Sequence, residues 1–101
     1  MAKGTYNSMH RRKFDKARLP SPIQVLRMLN IEPIRPSDLW LDVCCPVHKD
    51  TRPSLRVHAQ SGHFMCHGCG VKGGDILALY MQATRKSFVQ AVTDLDAWGQ
   101  A

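Results

Sequence analysis

The sequence predicts an α+β fold in which a zinc ribbon on a small antiparallel sheet is flanked by one N-terminal helix and two C-terminal helices. Two pairs of potential metal ligands, Cys45 with His48 and Cys66 with Cys69, each enclose two residues and stand seventeen residues apart. Short segments of alternating apolar and polar residues surround these pairs, as expected for half-buried strands. Capping residues precede apolar runs on either side of the strands, as expected at helix starts.

The first helix is predicted to begin at Pro22. Ser21 can serve as its N-cap, Pro22 suits the first helical position, and Gln24 completes a capping box. Helical spacing then places three apolar residues on one face, namely Val25, Leu26 and Leu29. Asn30 ends the helix, because asparagine tolerates the left-handed conformation found at helix C-termini.

Three strands are predicted to follow. Residues 39–44 alternate between apolar and polar side chains, and residues 54–59 do the same. Residues 60–62 end in glycine and predict a hairpin turn into a third strand at residues 63–66. The first strand then delivers Cys45, and the third strand carries the second ligand pair. Antiparallel strands with ligand turns at their tips are the arrangement of a zinc ribbon.

Two helices are predicted after the second ligand pair. Three glycines let the chain bend tightly before them, namely Gly70, Gly73 and Gly74. Asp75 opens a strongly apolar helix, where its negative charge suits the helix dipole. Ser87 and Gln90 offer another capping box. The last helix is predicted to continue to Trp98, since apolar residues recur at helical spacing up to that point.

The four potential ligands predict one tetrahedral zinc ion held by three thiolates and one imidazole. Four protein ligands leave no position open for water, so the zinc would be structural. Cys44 could replace Cys45, since it also lies near His48. We prefer Cys45, because Pro46 stiffens the turn after it, and Cys44 is then a small buried strand residue. Two other histidines near the second pair are left out of the site, His63 and His67.

Disulfide bonds or a redox-active Cys-x-x-Cys are the alternatives to a metal site. The N-terminus has no apolar segment and carries basic residues at positions 11–13, so it does not resemble a signal peptide. No stretch is long and apolar enough to span a membrane. Both observations favour a cytoplasmic protein, in which paired Cys-x-x-Cys and Cys-x-x-His turns indicate a metal. A redox Cys-x-x-Cys would need no second pair.

Basic charge is concentrated near the N-terminus. The net charge is +6 and the pI about 9.5. Residues 1–19 contain six basic residues, one acidic residue and no sustained apolar period. We therefore predict a flexible basic arm at residues 1–19 and a domain at residues 20–101. Such an arm suits a polyanion such as nucleic acid, although it can also serve solubility alone.

Four short motifs follow one another in the central part of the chain. They are Cys45-Pro46-Val47-His48, Arg52-Pro53-Ser54-Leu55, Phe64-Met65-Cys66-His67-Gly68-Cys69-Gly70 and Gly73-Gly74-Asp75-Ile76. In this order and at these gaps, they resemble the N-terminal zinc-binding domain of bacterial DnaG-type DNA primases, and the resemblance covers roughly residues 20–98. It implies the same four zinc ligands, Cys45, His48, Cys66 and Cys69.

The resemblance also implies a function. In this family the domain binds single-stranded DNA template and helps to choose where an RNA primer begins. The family's basic and aromatic sheet face corresponds here to Arg56, His58 and His63, together with Lys49, Arg52 and Lys72. The chain departs from the family pattern at His67 and Leu55, where aromatic residues are usual, so it has fewer platforms on which bases can stack.

Primases of this type continue into a catalytic domain whose clustered carboxylates hold magnesium ions. Asp94 and Asp96 lie two residues apart on a predicted helix, so they point to different faces as solvated surface residues and do not form such a cluster. The sequence therefore predicts a module that binds nucleic acid without catalysis of its own. It is either part of a primase or a free-standing protein of a plasmid, phage or integrated element, with a separate primase or polymerase as partner.

A protein-interaction module is the alternative function. Such a module would dock on a replication helicase or polymerase through an exposed apolar patch, for which Trp40 and Tyr80 are the candidates. Tight capture of a protein partner without salt-sensitive DNA binding would distinguish it from the template-binding module.

Overall fold

The computed structural model describes residues 12–34, 39–47 and 53–100. The elements are β1 (Arg12–Phe14), a 3-10 helix (Lys16–Arg18), α1 (Pro22–Met28), β2 (Trp40–Val43), β3 (Leu55–His58), β4 (Phe64–Cys66), β5 (Lys72–Gly73), α2 (Ile76–Thr84), α3 (Phe88–Asp94) and β6 (Trp98–Gln100). Three α-helices and antiparallel sheets in these ranges confirm the predicted α+β fold. Within the same ranges, every helix is too short or too polar to traverse a membrane.

A four-stranded sheet of order β2-β3-β4-β5 forms the centre of the fold, and each neighbouring pair is antiparallel. Leu41 stands opposite Val57, and Val43 opposite Leu55. Phe64 of β4 stands on the other side of Val57. Because side chains alternate along a strand, this register puts all five apolar side chains on one face. β5 was not predicted, since two residues carry no alternation that could reveal a strand.

The core joins this inner face of the sheet to the three helices. The helices contribute Val25 and Leu26 from α1, Ile76, Leu77, Leu79 and Tyr80 from α2, and Ala91 and Val92 from α3. Cys45 and Cys66, each 1 % exposed, belong to the same apolar cluster. Two of the predicted metal ligands are therefore anchored in the core.

The helix starts confirm the predicted caps. The hydroxyl of Ser21 accepts a hydrogen bond from the backbone N–H of Gln24, and the Gln24 side chain accepts one from the Ser21 N–H. Ser87 and Gln90 form the same reciprocal pair at α3. At α2, Asp75 accepts from the backbone N–H of the third helical residue at 2.9 Å. These bonds satisfy backbone groups that have no partner within the helix.

β1 and β6 form a second, two-stranded antiparallel sheet, with Phe14 opposite Trp98. The rings of both residues meet Phe88 edge-on, with centroids 5.6 and 6.2 Å from its ring. Part of the predicted flexible arm thus has regular structure, namely β1 and the 3-10 helix. The sequence did not reveal this, because β1 pairs with a strand far along the chain and shows no local apolar period of its own. Residues 1–11 lie outside the described residues, so the division of the chain at residue 19 stays a prediction.

The last helix is shorter than predicted. α3 ends at Asp94, and Asp96, with φ of 53°, turns the chain towards β6. Trp98, which was predicted to continue the helix, lies in a strand, and its indole N–H donates to the hydroxyl of Thr93 at 3.0 Å. Apolar spacing continued beyond the helix because the connection to the strand buries Leu95 and Ala97.

Tyr80 and Asp94 connect α2 to α3. The Tyr80 hydroxyl donates to the Asp94 carboxylate at 2.8 Å, and Lys86 forms an ion pair with the same carboxylate. Hydrogen bonds from Lys86 and Tyr80 lower the pKa of Asp94, while burial and the bond to Asp94 raise the pKa of Tyr80. Asp94 is exposed at the surface, as predicted, and it also links the two helices through these contacts. The proposed exposed patch at Tyr80 is wrong, because this side chain is only 6 % exposed.

Candidate metal centre and outer sheet face

Three cysteine side chains meet at one end of the four-stranded sheet. The Sγ atoms of Cys45, Cys66 and Cys69 lie within 4.8 Å of one another, and those of Cys45 and Cys69 are 4.0 Å apart. None of the cysteines forms a disulfide. Sulfur ligands about 2.3 Å from a tetrahedral zinc ion are roughly 3.8 Å apart, so three thiolates with this spacing can share one ion.

β2 and β4 bring these cysteines together. Both strands run antiparallel to β3, so their C-terminal ends lie at the same end of the sheet. Cys45 follows β2 by two residues, and Cys66 is the last residue of β4. The turn after Cys66 is closed by the N–H of Gly70, which donates to the Cys66 carbonyl at 2.9 Å. This turn returns Cys69 to the side of the other two sulfurs.

Hydrogen bonds to the sulfur of Cys66 favour its thiolate form. Burial raises the pKa of this thiol, but the hydroxyl of Ser54 and the backbone N–H groups of Cys69 and Gly68 outweigh burial and lower the pKa to about 6. The Ser54 oxygen is 3.5 Å from the sulfur, and the Gly68 nitrogen 3.3 Å. The thiolate is the form that binds metals, so the lowered pKa favours metal binding by Cys66 at neutral pH.

The structure favours Cys45 over Cys44 as the residue that faces a metal. Cys45 belongs to the sulfur cluster, whereas Cys44 lies just beyond the end of β2 and is half-buried rather than a buried strand residue. His48, the predicted fourth ligand, lies outside the described residues. Neither His63 nor His67, both described, belongs to the cluster of sulfur ligands.

The opposite face of the sheet, which we call the outer sheet face, carries a mixture of charged, aromatic and apolar side chains. The register places four of them in one row across the four strands, namely Asp42, Arg56, Met65 and Lys72. The aromatic members are Trp40, His58 and His63. Four of the six residues predicted to bind nucleic acid thus share this face: Arg56, His58, His63 and Lys72. The other two, Lys49 and Arg52, lie outside the described residues.

Arg56 is held at the centre of the outer sheet face by two neighbours. Its Nε lies 3.3 Å from a carboxylate oxygen of Asp42. Its guanidinium carbon lies over the ring of Trp40, 5.2 Å from the centroid, which is a cation–π contact. Arg56 therefore presents an oriented group whose charge is partly offset by the carboxylate beside it.

Three aromatic rings form a cluster at the hairpin end of the outer sheet face. The rings of His58 and His63 stack with centroids 4.8 Å apart, and each meets Trp40 edge-on, at 5.1 and 5.3 Å. Nδ1 of His58 also accepts from the backbone N–H groups of Gln60 and Ser61 in the turn. Sequence reasoning had not placed Trp40 among the nucleic-acid residues, although the alternation of its strand put it on the polar side.

A small cleft opens on this face. Its volume is about 230 Å³, and its walls are Trp40, Arg56, His63, Phe64, Met65 and His67. We call it the sheet-face cleft. Met65 is 47 % exposed and stands opposite Arg56, so it lies in the open rather than in the core. No signal in the sequence singled out Met65, because only the register shows what surrounds it.

Comparison with known proteins adds to this geometry. Residues 34–100 match the family model described as the CHC2 zinc finger, a DnaG-type zinc ribbon. The DNA primase of Mycobacterium tuberculosis is 46 % identical over 48 residues, that of Chlamydia trachomatis 41 % over 49, and that of Pseudomonas aeruginosa 40 % over 52. These matches cover 48 to 52 % of this chain but only 7 to 8 % of the relatives' length. No solved structure gives a significant match.

Proposed function

The chain belongs to the CHC2 zinc-finger family of DnaG-type zinc ribbons, and we propose that it is a zinc-stabilised module that binds nucleic acid. It contacts single-stranded DNA template for RNA primer synthesis in DNA replication. The observation that carries this proposal is the outer sheet face, where Arg56 and Lys72 accompany a cluster of three aromatic rings. Cationic side chains attract the phosphates of DNA, and aromatic side chains stack on its bases. Only a single strand exposes the faces of its bases.

One structural zinc ion, held by Cys45, His48, Cys66 and Cys69, stabilises this module. The spacing of the three sulfurs and the lowered pKa of Cys66 support it. Four protein ligands leave no place for a reactive water, so the ion acts on the fold alone. Since Cys45 follows β2 and Cys66 is the last residue of β4, the ion would connect two strands of the sheet.

Catalysis is supplied by another domain or protein. The similar proteins are DNA primases, and the matched part is 7 to 8 % of their length. A primase, polymerase or helicase is therefore the expected protein partner, and the cytoplasm the expected location. A sample of this chain that made primers from template and nucleotides by itself would contradict this part of the proposal.

Fluorescence anisotropy with labelled single-stranded and duplex DNA at two salt concentrations tests template binding. We expect the zinc-loaded protein to prefer the single strand, with an affinity that falls steeply as salt rises, because bound cations are released from the DNA. Arg56→Glu should weaken this binding while zinc is retained.

Arg27→Glu is the matched control for that variant. Arg27 is an exposed arginine of α1 that also lies 3.3 Å from a carboxylate, that of Glu32. The two variants change the net charge equally, so a loss confined to Arg56→Glu would locate binding on the outer sheet face. Equal losses would assign binding to net charge and contradict the proposed face.

Removal of zinc distinguishes DNA binding by the sheet from DNA binding by the N-terminal residues. DNA binding that is lost with a chelator and restored by zinc would assign the binding to the zinc-stabilised sheet. DNA binding that survives chelation would assign it to the basic residues 1–19. Absence of DNA binding at low salt would favour the second candidate, a protein-interaction module. Its support is the exposed apolar surface of α3, where Phe88 and Val89 are 42 and 59 % exposed.

A further inference from the structure

We propose that the sheet-face cleft receives one unpaired base of the DNA strand, an inference that rests on the proposed function. The cleft holds about 230 Å³. Pockets for whole small-molecule ligands begin at roughly 300 Å³. The cleft therefore suits a single planar ring system better than a complete nucleotide or a larger ligand.

The walls of the cleft offer surfaces on which a base can stack. Trp40 supplies an aromatic ring that is in T-shaped contact with His58 and His63 and that lies 5.2 Å from the guanidinium carbon of Arg56. Met65 supplies a thioether, and sulfur makes favourable contacts with aromatic rings. Because the Trp40 ring is already held in place, little side-chain freedom is lost when a base binds.

The charges around the cleft match the chemistry of a DNA strand. Met65 is an exposed apolar side chain in the row across the sheet, with Arg56 on one side and Lys72 on the other. A base in a DNA strand has an aromatic face and a phosphate on each side. An aromatic side chain of a protein would fill the same space but would bring no such pair of anions.

Each polar side chain that lines the cleft can donate a hydrogen bond. Arg56, His63 and His67 contribute nitrogen atoms, and no carboxylate is among the lining residues. The guanidinium has donors only, and every base carries acceptors on its edges. Asp42 lies against the Arg56 Nε, which orients the guanidinium over Trp40. The cleft can therefore hold a base by its face and by its edge.

An abasic scan tests this proposal. The probes are one short single-stranded oligonucleotide and a set of copies in which each base in turn is replaced by an abasic site. We expect one position at which removal of the base weakens binding roughly 5- to 150-fold, the range for a stacked base, while the other positions change little.

The Met65→Ala variant tests whether the base at that position lies in the cleft. In this variant the intact strand should bind more weakly, and the abasic copy should bind no worse than the intact strand. Met28→Ala is the matched control, since Met28 is 50 % exposed, similar to Met65, but lies on α1. Both methionines are exposed, so neither change removes a core side chain.

The outcomes separate the two proposals. Suppose that the wild-type protein binds the intact strand. If every abasic position then gives the same loss, or if Met65→Ala has no effect, the proposal of a base in the cleft is wrong, while the template-binding function is still supported. No binding of the intact strand would overturn both. Capture of an aromatic peptide in place of DNA would assign the cleft to a protein partner.

Discussion

Ser54 and Cys66 show how one neighbouring side chain can adjust a metal ligand. The Ser54 hydroxyl lies 3.5 Å from the sulfur and helps to lower the pKa of the thiol to about 6. Partners of this kind commonly change metal affinity 10- to 100-fold (about 1.4–2.7 kcal/mol) although they do not touch the metal.

Ser54→Ala is therefore expected to weaken zinc binding roughly 10-fold. Competition against a chromophoric chelator at neutral pH measures the change. Ser61→Ala is the control, because Ser61 lies in the hairpin turn at the other end of β4. If both variants bind zinc as the wild type does, the hydrogen bond has no role in the metal site.

Asp42 is an acidic residue on the outer sheet face, so its charge opposes a DNA strand. It lies beside Arg56 and has a side chain that is 35 % exposed. Asp42→Asn should raise the affinity for single-stranded DNA a few-fold at low salt, because it removes repulsion of phosphates and frees the charge of Arg56. Anisotropy titrations at low and high salt measure this, and the gain should shrink as salt rises. A loss of affinity would show that the ion pair is needed to orient Arg56.

At the level of elements, the hairpin between β3 and β4 depends on a single glycine. Gly62 has φ of +80°, and a Cβ added there would lie 2.7 Å from the backbone nitrogen of Ile76. The hairpin turn is thus packed against the start of α2. A side chain at position 62 would strain its own backbone and push the helix away.

Gly62→Ala is expected to lower the free energy of unfolding by more than about 2 kcal/mol, since the left-handed backbone alone costs about 1–2 kcal/mol. Urea unfolding of the zinc-saturated protein measures the change. Gly74→Ala is the control, because no atom lies within 4 Å of a Cβ added at that position. Equal stabilities of the two variants would contradict the packing of the turn against α2.

For the molecule as a whole, the metal site couples stability to pH. The pKa of Cys66, about 6, is below the ordinary thiol value of 9.0. The thiolate therefore adds stability that rises between about pH 6 and pH 9 and is lost as the pH falls through about 6. Protons and zinc also compete for the same sulfur, so acid weakens metal binding in the same direction.

Acidification from about pH 7.5 to about pH 5 should thus release zinc and lower the melting temperature together. A zinc-sensitive dye and circular dichroism follow the two changes in one sample. The Ser54→Ala variant should release its zinc at a higher pH than the wild type. Zinc that stays bound at pH 5 would contradict a site built on these thiolates.

The sequence by itself determined the features that depend on neighbouring residues. Two capping boxes, at Ser21 and Ser87, mark the helix starts because each is complete within four residues. The spacing of Cys66 and Cys69 and the alternation in β2 and β3 are equally local. These signals sufficed for the fold class and for the three cysteines that the structure brings together.

The tertiary structure alone decided what depends on pairing between distant segments. The β1–β6 sheet, the bond from Tyr80 to Asp94 and the position of Met65 between two cations all join residues that no local period relates. The same holds for Trp40 beneath Arg56, which only the register of β2 on β3 reveals. The physical reason is that the spacing of apolar residues along a segment shows which face of that segment is buried. Which other residues a side chain contacts on that face is set by the packing of the whole chain.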